Sequence, residues 1–378
     1  MDLFFHALFV SPALLVLLSV VVCALLVAVL RPLAISRRWV DVPHGRKQHP
    51  VPTPLTGGIA IFGSLLCWLA WDRSGSVSLR AIALAAGLLF IVAVLDDRKP
   101  IRARYRLLTQ VAAAFIILIG DQLALAPMAI ANDFRLFWNG WWSFAGAAFG
   151  IVAMINAYNM ADGVDGAAGG FVAVTLIALV SVFVSPLAAS IAEAQELLKV
   201  TLIVLGSTLG FLLFNYPAFW RRSATAFLGD SGSMLLALIT AWLLLKAGQP
   251  TPNNNGLFGP AYSLWLVALP LFDATLCFQR RILTGQLPVT PDRRHIHHLL
   301  QALGVRNQRV APTLNLLAGL MAAVGVAGWY LRVPEPYMFW SLVALFVVYC
   351  VVVTKLWSVF SCAKEPGLDR VGRRQHSI

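Results

Sequence analysis

Charge is scarce in this chain. Asp, Glu, Lys and Arg make up 12% of its 378 residues, where a soluble domain carries about 25%. With 59% of residues hydrophobic, the composition excludes an ordinary soluble domain and indicates an integral membrane protein. Acidic residues are scarcer than basic ones, 17 against 29, and the formal net charge is +12. That excess does not indicate nucleic acid. The bases lie scattered between apolar runs, as in the cytoplasmic loops of a polytopic protein. Cysteine is limited to Cys23, Cys67, Cys277, Cys350 and Cys362, with no CxxC pair. This argues against a disulfide framework and for small core residues. No Lys or Arg precedes Arg31. A cleaved signal peptide has a basic start, so the first apolar run is expected to be a retained helix. No internal repeat is visible, which weighs against a transporter built from repeated halves.

What is present is a series of apolar runs near the ~20 residues of a bilayer crossing. They fall at roughly 8–30, 55–71, 79–95, 107–125, 141–158, 168–186, 197–214, 231–247, 261–279, 312–331 and 338–357. The expected fold is all-α, a polytopic membrane protein with about eleven transmembrane helices. Residues 1–357 form one transmembrane domain and 358–378 a basic tail. If connections alternate between the two sides, one side receives all but six of the 29 Lys and Arg residues; the six are Arg73, Arg80, Arg135, Lys199, Lys246 and Arg332. The rich side is cytoplasmic by the positive-inside rule, which puts the N-terminus outside and the C-terminus inside. Trp68, Trp71, Trp141, Trp142, Trp220 and Trp357 cluster near span ends, as an interfacial belt does.

The polar motifs all fall on that basic side. NAYNMADGVDG at 156–166 carries Asn156, Asn159, Asp162 and Asp165. Residues three apart on a helix are neighbours, so Asn156 and Asn159 are expected to share a face as the fifth helix ends. Oxygen ligands beside a glycine turn suit a hard cation such as Mg²⁺. Helix capping and turn formation are the plainer explanation, but four acceptors in so short a stretch exceed it. An EF-hand loop is excluded on spacing. VLDDRKP ends the third span with Asp96 and Asp97, adjacent carboxylates that need a cation or proton between them. The bases that follow, Arg98, Lys99, Arg102, Arg104 and Arg106, read mostly as a positive-inside anchor. FLGDSGS puts Asp230 at a helix start, where backbone N–H groups attract anions and Asp230 could hold their metal; a plain N-cap is the alternative. DRRHIHH holds Arg294, His295, His297 and His298. The spacing is wrong for a helical zinc site and no Cys is expected nearby, whereas Arg beside His suits phosphate. GRKQHPVPTPLTGG adds Lys47 and the close-approach pair Gly57-Gly58. Carboxylates, Asn oxygens, a divalent cation and surrounding bases are the parts of a phosphoryl-transfer site. At a membrane surface, one reactant should be a lipid.

GRKQHPVPTPLTGGIA, VLDDR, NAYNMADGVDG, FLGDSGS and DRRHIHH, in this order over about residues 40–310, resemble the polyprenyl-phosphate N-acetylhexosamine-1-phosphate transferases. The likeness is greatest to the bacterial undecaprenyl-phosphate GlcNAc-1-phosphate transferases that begin O-antigen and related glycans. The resemblance implies a bacterial inner-membrane, multi-pass, catalytic domain with its active site facing the cytoplasm. It implies Mg²⁺, with Mn²⁺ as a substitute. The implied partners are a UDP-N-acetylhexosamine, undecaprenyl phosphate and membrane lipid, with no nucleic acid and a homodimer left open. The products would be undecaprenyl-pyrophosphoryl sugar and UMP. It assigns Asp230 and Asn159 to the metal, and Asp96, Asp97, Asp162, Asp165 and His295 to catalysis. Lys47, Asn156, Arg294, His297 and His298 fall to substrate binding. A phosphate monoester has a second pKa near ~6, so a strong base is barely needed and Asp96 is expected to position more than deprotonate; a covalent Asp intermediate also stays open. Ile296 interrupts the three adjacent histidines of the branch that transfers phospho-MurNAc-pentapeptide. Together with the compact 280–311 loop, that favours an amino sugar without peptide; GalNAc or a dideoxy-amino sugar remain alternatives. A transporter would place ionisable groups at mid-membrane. Asp273, after Pro270, is the one candidate for that, and it is expected to pair with Arg280 two turns on.

Overall fold

The computed structural model describes residues 11–42, 52–71, 77–131, 134–136, 140–189, 191–217, 223–249, 256–286 and 294–364. The chain is built of helices: α1 (Pro12–Ser36), α2 (Gly57–Trp71), α3 (Val77–Arg98), α4 (Ala103–Gly120), α5 (Gly140–Ala161), α6 (Ala167–Phe183), α7 (Pro186–Ala189), α8 (Ala192–Asn215), α9 (Gly229–Gly248), α10 (Pro260–Leu266), α11 (Ala268–Leu283), α12 (Ile296–Ala302), α13 (Asn307–Tyr330) and α14 (Glu335–Lys364). Two short antiparallel pairs complete it, β1 (Val40–Asp41) with β2 (Thr53–Pro54), and β3 (Met128–Ala129) with β4 (Arg135–Leu136). Among the described residues, eight helices are long and apolar enough to cross a bilayer: α1, α3, α4, α5, α8, α9, α13 and α14. The pair α10 and α11 makes a ninth if it is one span, and α2 and α6 are shorter apolar helices. The eleven expected runs coincide with these segments. The protein is an all-α, multi-pass membrane protein. Helix α14 runs on past residue 357 to Lys364.

Helix α9 is the centre. After its first turn it reads MLLALITAWLLLKAG, apolar on every face, and a helix of that kind is buried all round. Residues Ser231–Leu244 are buried without exception, packed among α2, α3, α5 and α6. Helices α1 and α8 pack through Gly206 and Gly210 of the GSTLG run. A Cβ at either would stand 2.5 Å from a backbone oxygen of α1, Val16 or Val20, so only glycine lets the backbones approach this closely. The outward residues of α1, such as Leu17, Leu25 and Val29, and of α14, such as Val347 and Val351, are exposed and apolar, as lipid-facing surfaces are.

The run expected as a single span over 261–279 is broken. Helices α10 and α11 meet at 84° around Val267. Pro270 has no N–H to return to the Leu266 carbonyl, and Thr175 Oγ1 of α6 donates to that carbonyl instead at 3.0 Å. The break therefore precedes the proline rather than following it. It turns α11 to flank a deep groove of about 1020 Å³ with α4 and α5.

Candidate active site

The polar motifs meet at one end of the bundle. β2 starts the assembly: Phe227 N donates to Pro54 O at 2.9 Å, Gly57 N to Phe227 O at 2.9 Å and Gly58 N to Leu228 O at 3.0 Å. The close approach expected at Gly57-Gly58 is thus made by the FLGD backbone, not by a ligand. Gly229 follows with φ +73, a left-handed conformation that glycine adopts without strain, and α9 begins there. Its first free N–H groups are occupied. Asp97 accepts from Asp230 N at 2.8 Å and from Ser231 N at 3.2 Å. The helix start expected to draw a phosphate is therefore capped by a carboxylate from α3, and Asp97 serves to place Asp230.

Asp230 is the hub. Its Oδ1 accepts from Asn159 Nδ2 at 2.9 Å, and Asn159 also donates to Ser233 Oγ at 3.1 Å. Its Oδ2 lies 3.1 Å from Arg106 Nη1, which also pairs with Asp96 Oδ2 at 2.9 Å. Asp96 Oδ1 accepts from Ile101 N, tying α3 to the α4 approach. Asp162 feels the charges around it. Burial, then the charges of Asp230, Asp97 and Asp165, push its carboxyl well above the usual carboxylate range. Asp165 accepts from Ala224 N at 2.8 Å and so moors the loop before Asp230. Asn156 turns toward the groove wall, donating to Gln110 Oε1 at 2.7 Å and Val152 O at 2.8 Å. Asn156 and Asn159 do share a face, since both line the groove.

The histidines reach the same centre. A Cβ on Gly163 would lie 2.6 Å from His297 Nε2, so His297 stands directly on the ADG turn. Its burial, then the charges of His298 and His295, lower its pKa to about 3. His295 stands at the position just before α12 and lines the groove. Burial opposes its charge, but the hydrogen bond from Nδ1 to Asp273 Oδ2 at 2.7 Å prevails and raises its pKa to about 10. His298 Nδ1 is 3.2 Å from Gln301 Oε1, and the exposed Arg294 offers its carbonyl to Arg280 Nη2 at 2.8 Å. Lys47 lies outside the described residues. Two expectations are corrected here. Asp273 pairs with His295, not Arg280, because the 294–296 backbone folds onto α11. A cysteine is also near the histidines in space: Cys277 Sγ is 3.4 Å from His295 Nδ1.

Sequence reasoning passed over Arg106 and Gln110. Arg106 was absorbed into a basic run, yet it joins the two carboxylates at the head of the groove. The available signal was Arg106 and Gln110 at i, i+4, two polar residues on one face of a helix that is apolar beyond them.

A divalent cation fits this donor set. Asp230, Asp162 and Asn159 offer oxygen ligands of the type Mg²⁺ prefers, and rotating the Asn159 amide presents its oxygen where its nitrogen now points. Burial raises Asp162 most, and the crowding by Asp230, Asp97 and Asp165 that adds to it is the charge imbalance a cation relieves.

An apolar groove that opens onto a cluster of carboxylates and bases at one end of a multi-pass helical bundle marks a membrane-embedded enzyme. Residues 79–248 match glycosyl transferase family 4. The chain is 30% identical over 351 residues to the undecaprenyl-phosphate alpha-N-acetylglucosaminyl 1-phosphate transferase of Yersinia pestis, covering 92% of this chain and 93% of that protein. It is 29% identical over 323 residues to the protein of the same name in Escherichia coli K12, covering 85% of each. It is also 29% identical over 309 residues to a probable undecaprenyl-phosphate N-acetylglucosaminyl 1-phosphate transferase of Bacillus subtilis, covering 82% of each. The chain belongs to this family, the polyprenyl-phosphate N-acetylhexosamine-1-phosphate transferases of glycosyl transferase family 4.

Proposed function

We propose that the protein transfers N-acetylglucosamine 1-phosphate from UDP-GlcNAc to undecaprenyl phosphate. An oxygen of the lipid phosphate attacks the sugar-bearing phosphorus of the donor. A new pyrophosphate bond forms, the bond to UMP breaks, and UMP leaves. One observation carries this reading. The groove of about 1020 Å³ has apolar walls, including Leu107, Phe149, Ile151 and Leu264, and ends at Arg106, Asn159 and His295. A long prenyl chain lying there would bring its phosphate to the carboxylate cluster.

Asp230 and Asn159 would hold Mg²⁺, with Asp162 beside them. Bound there, the ion offsets charge on the donor pyrophosphate. Arg106 sits where a lipid phosphate arrives and can exchange Asp96 or Asp230 for it. Asp97 keeps Asp230 aimed by capping α9. Asp96, once Arg106 turns to phosphate, faces the attacking oxygen and orients it. His297, neutral at physiological pH by its lowered pKa, offers a hydrogen bond rather than a charge, while His295 is held by Asp273 at the polar end of the groove. We place this face in the cytoplasm of a bacterial inner membrane, a reading the Lys and Arg excess on that side supports. The product would open O-antigen or a related envelope glycan. UMP release by the purified protein, dependent on both lipid phosphate and Mg²⁺, tests the reading. Release without lipid would contradict it.

A further inference from the structure

Behind the histidines lies a buried polar cluster around Asp273, a residue to which the reaction as described assigns no role. Asp273 is 5% exposed. Its Oδ2 holds His295 Nδ1 at 2.7 Å, and its Oδ1 accepts from Ile296 N at 2.8 Å and from Tyr349 Oη at 3.1 Å. Tyr349 belongs to α14, a helix that is otherwise turned largely to lipid. It is locked against Phe272, the residue before Asp273, at 5.7 Å between ring centroids. One carboxylate therefore joins the broken helix α11, the start of α12 and α14.

The cluster has a second reading. Asp273, Cys277 and His295 offer ligand atoms within 4.8 Å of one another, as a metal site does. The distances argue otherwise. Two ligands each about 2.0 Å from a tetrahedral ion stand ~3.3 Å apart, whereas Asp273 and His295 are at hydrogen-bond distance. Arg280 Nη2 also lies 3.4 Å from Cys277 Sγ, so a fixed cation already faces the thiol.

What the cluster controls is the histidine segment. His295 is the residue from which α12 departs. Its ring is parallel to that of His297, 1° apart in plane and 5.5 Å between centroids. His297 in turn rests on Gly163, within the turn that carries Asp162 and Asp165. A shift of His295 is passed through this short helical step to His297.

We infer that Asp273, braced by Tyr349, is a positioning residue for the transfer reaction: it fixes His295 and the start of α12 so that His297 stands on the ADG turn beside the carboxylates. The inference rests on the transferase reading for its kinetic consequence, but its geometric part does not. Removing the brace should act on the chemical step rather than on substrate capture. Misplacing a reacting group by about 1 Å costs roughly 10²-fold.

The test is a mutant cycle on full-length protein, read by UMP release and by the side-chain nitrogen resonances of histidine. Asp273→Asn and His295→Gln should each lower kcat by about 10- to 100-fold while KM for UDP-GlcNAc moves less than about threefold. The double variant should be no slower than the slower single, because coupled groups are not additive. Tyr349→Phe, which keeps the ring packing, should lower kcat by a smaller factor in the parent and by none in Asp273→Asn. The hydrogen-bonded Nδ1 proton of His295 should vanish in Asp273→Asn and persist in Tyr349→Phe. Multiplying losses in the double variant would overturn the inference, as would parental kcat in both Tyr349→Phe and Asp273→Asn. Should Asp273→Asn not fold, Tyr349→Phe decides alone, and parental kcat there overturns it. If the parent protein shows no turnover, the transferase reading fails, and the His295 resonance still decides whether Asp273 holds the ring.

Discussion

At the residue scale, the account turns on charges held close together. Asp230 joins Asn159, Ser233, Arg106 and, through its backbone, Asp97. Asp230→Asn keeps the shape and removes the charge, so turnover should fall by roughly 10²–10³-fold, the cost of losing one well-placed electrostatic group, with an unchanged melting curve; UMP release checks it. The two neighbouring histidines should titrate in opposite directions. The raised pKa of His295 adds stability that is complete below its unfolded value near ~6.5 and is lost as pH climbs toward about 10. The lowered pKa of His297 does the reverse, and stability falls as pH drops from ~6.5 toward about 3. Melting temperatures against pH for His295→Gln and His297→Gln should lose the alkaline and the acid limb respectively. Most of these side chains were legible because the reactive types are rare in an apolar chain and stand out wherever they occur. Arg106 was not, because a base within a run of bases carries no individual signal. The His295–Asp273 pair was not, because residues 22 apart in sequence meet only through the course of a loop.

Elements position these residues through features that sequence pattern shows only in part. The apolar runs located the helical segments, though not their ends, since a span has a length set by the bilayer. It did not show where the ninth run breaks. A proline marks a defect, but which carbonyl is rescued depends on Thr175, nearly a hundred residues away in the chain. Thr175→Val should leave the Leu266 carbonyl buried and unpaired at a cost of about 1–3 kcal/mol, seen as a lower melting temperature together with weaker use of the lipid acceptor. The start of α9 is a second such element. Gly229→Ala forces a side chain into a left-handed conformation, about 1–2 kcal/mol, and places its Cβ 2.7 Å from Asp97 Oδ2. The cap should shift and take Asp230 with it, so this variant should lose activity far out of proportion to its loss of stability.

For the whole molecule, the groove links the apolar body to the polar site, and it can be blocked without touching either. A Cβ at Gly150, on the groove wall, meets nothing within 4 Å. Gly150→Leu should therefore fold normally and project into the space a prenyl chain would fill. Displacing two methylenes at about 0.8 kcal/mol each raises KM for the lipid acceptor roughly tenfold, with KM for the nucleotide sugar unchanged. The gathering of all motifs at one end was foreseeable from the distribution of Lys and Arg, because alternating spans leave each motif on a definite side. The groove itself was not, because it arises from the bend between α10 and α11. The most direct measurement is UMP release by the purified protein given undecaprenyl phosphate, Mg²⁺ and a panel of UDP-sugars one at a time. The account predicts release with UDP-GlcNAc that stops when either the lipid or the metal is withheld. Well-folded protein that releases no UMP with any donor would contradict it.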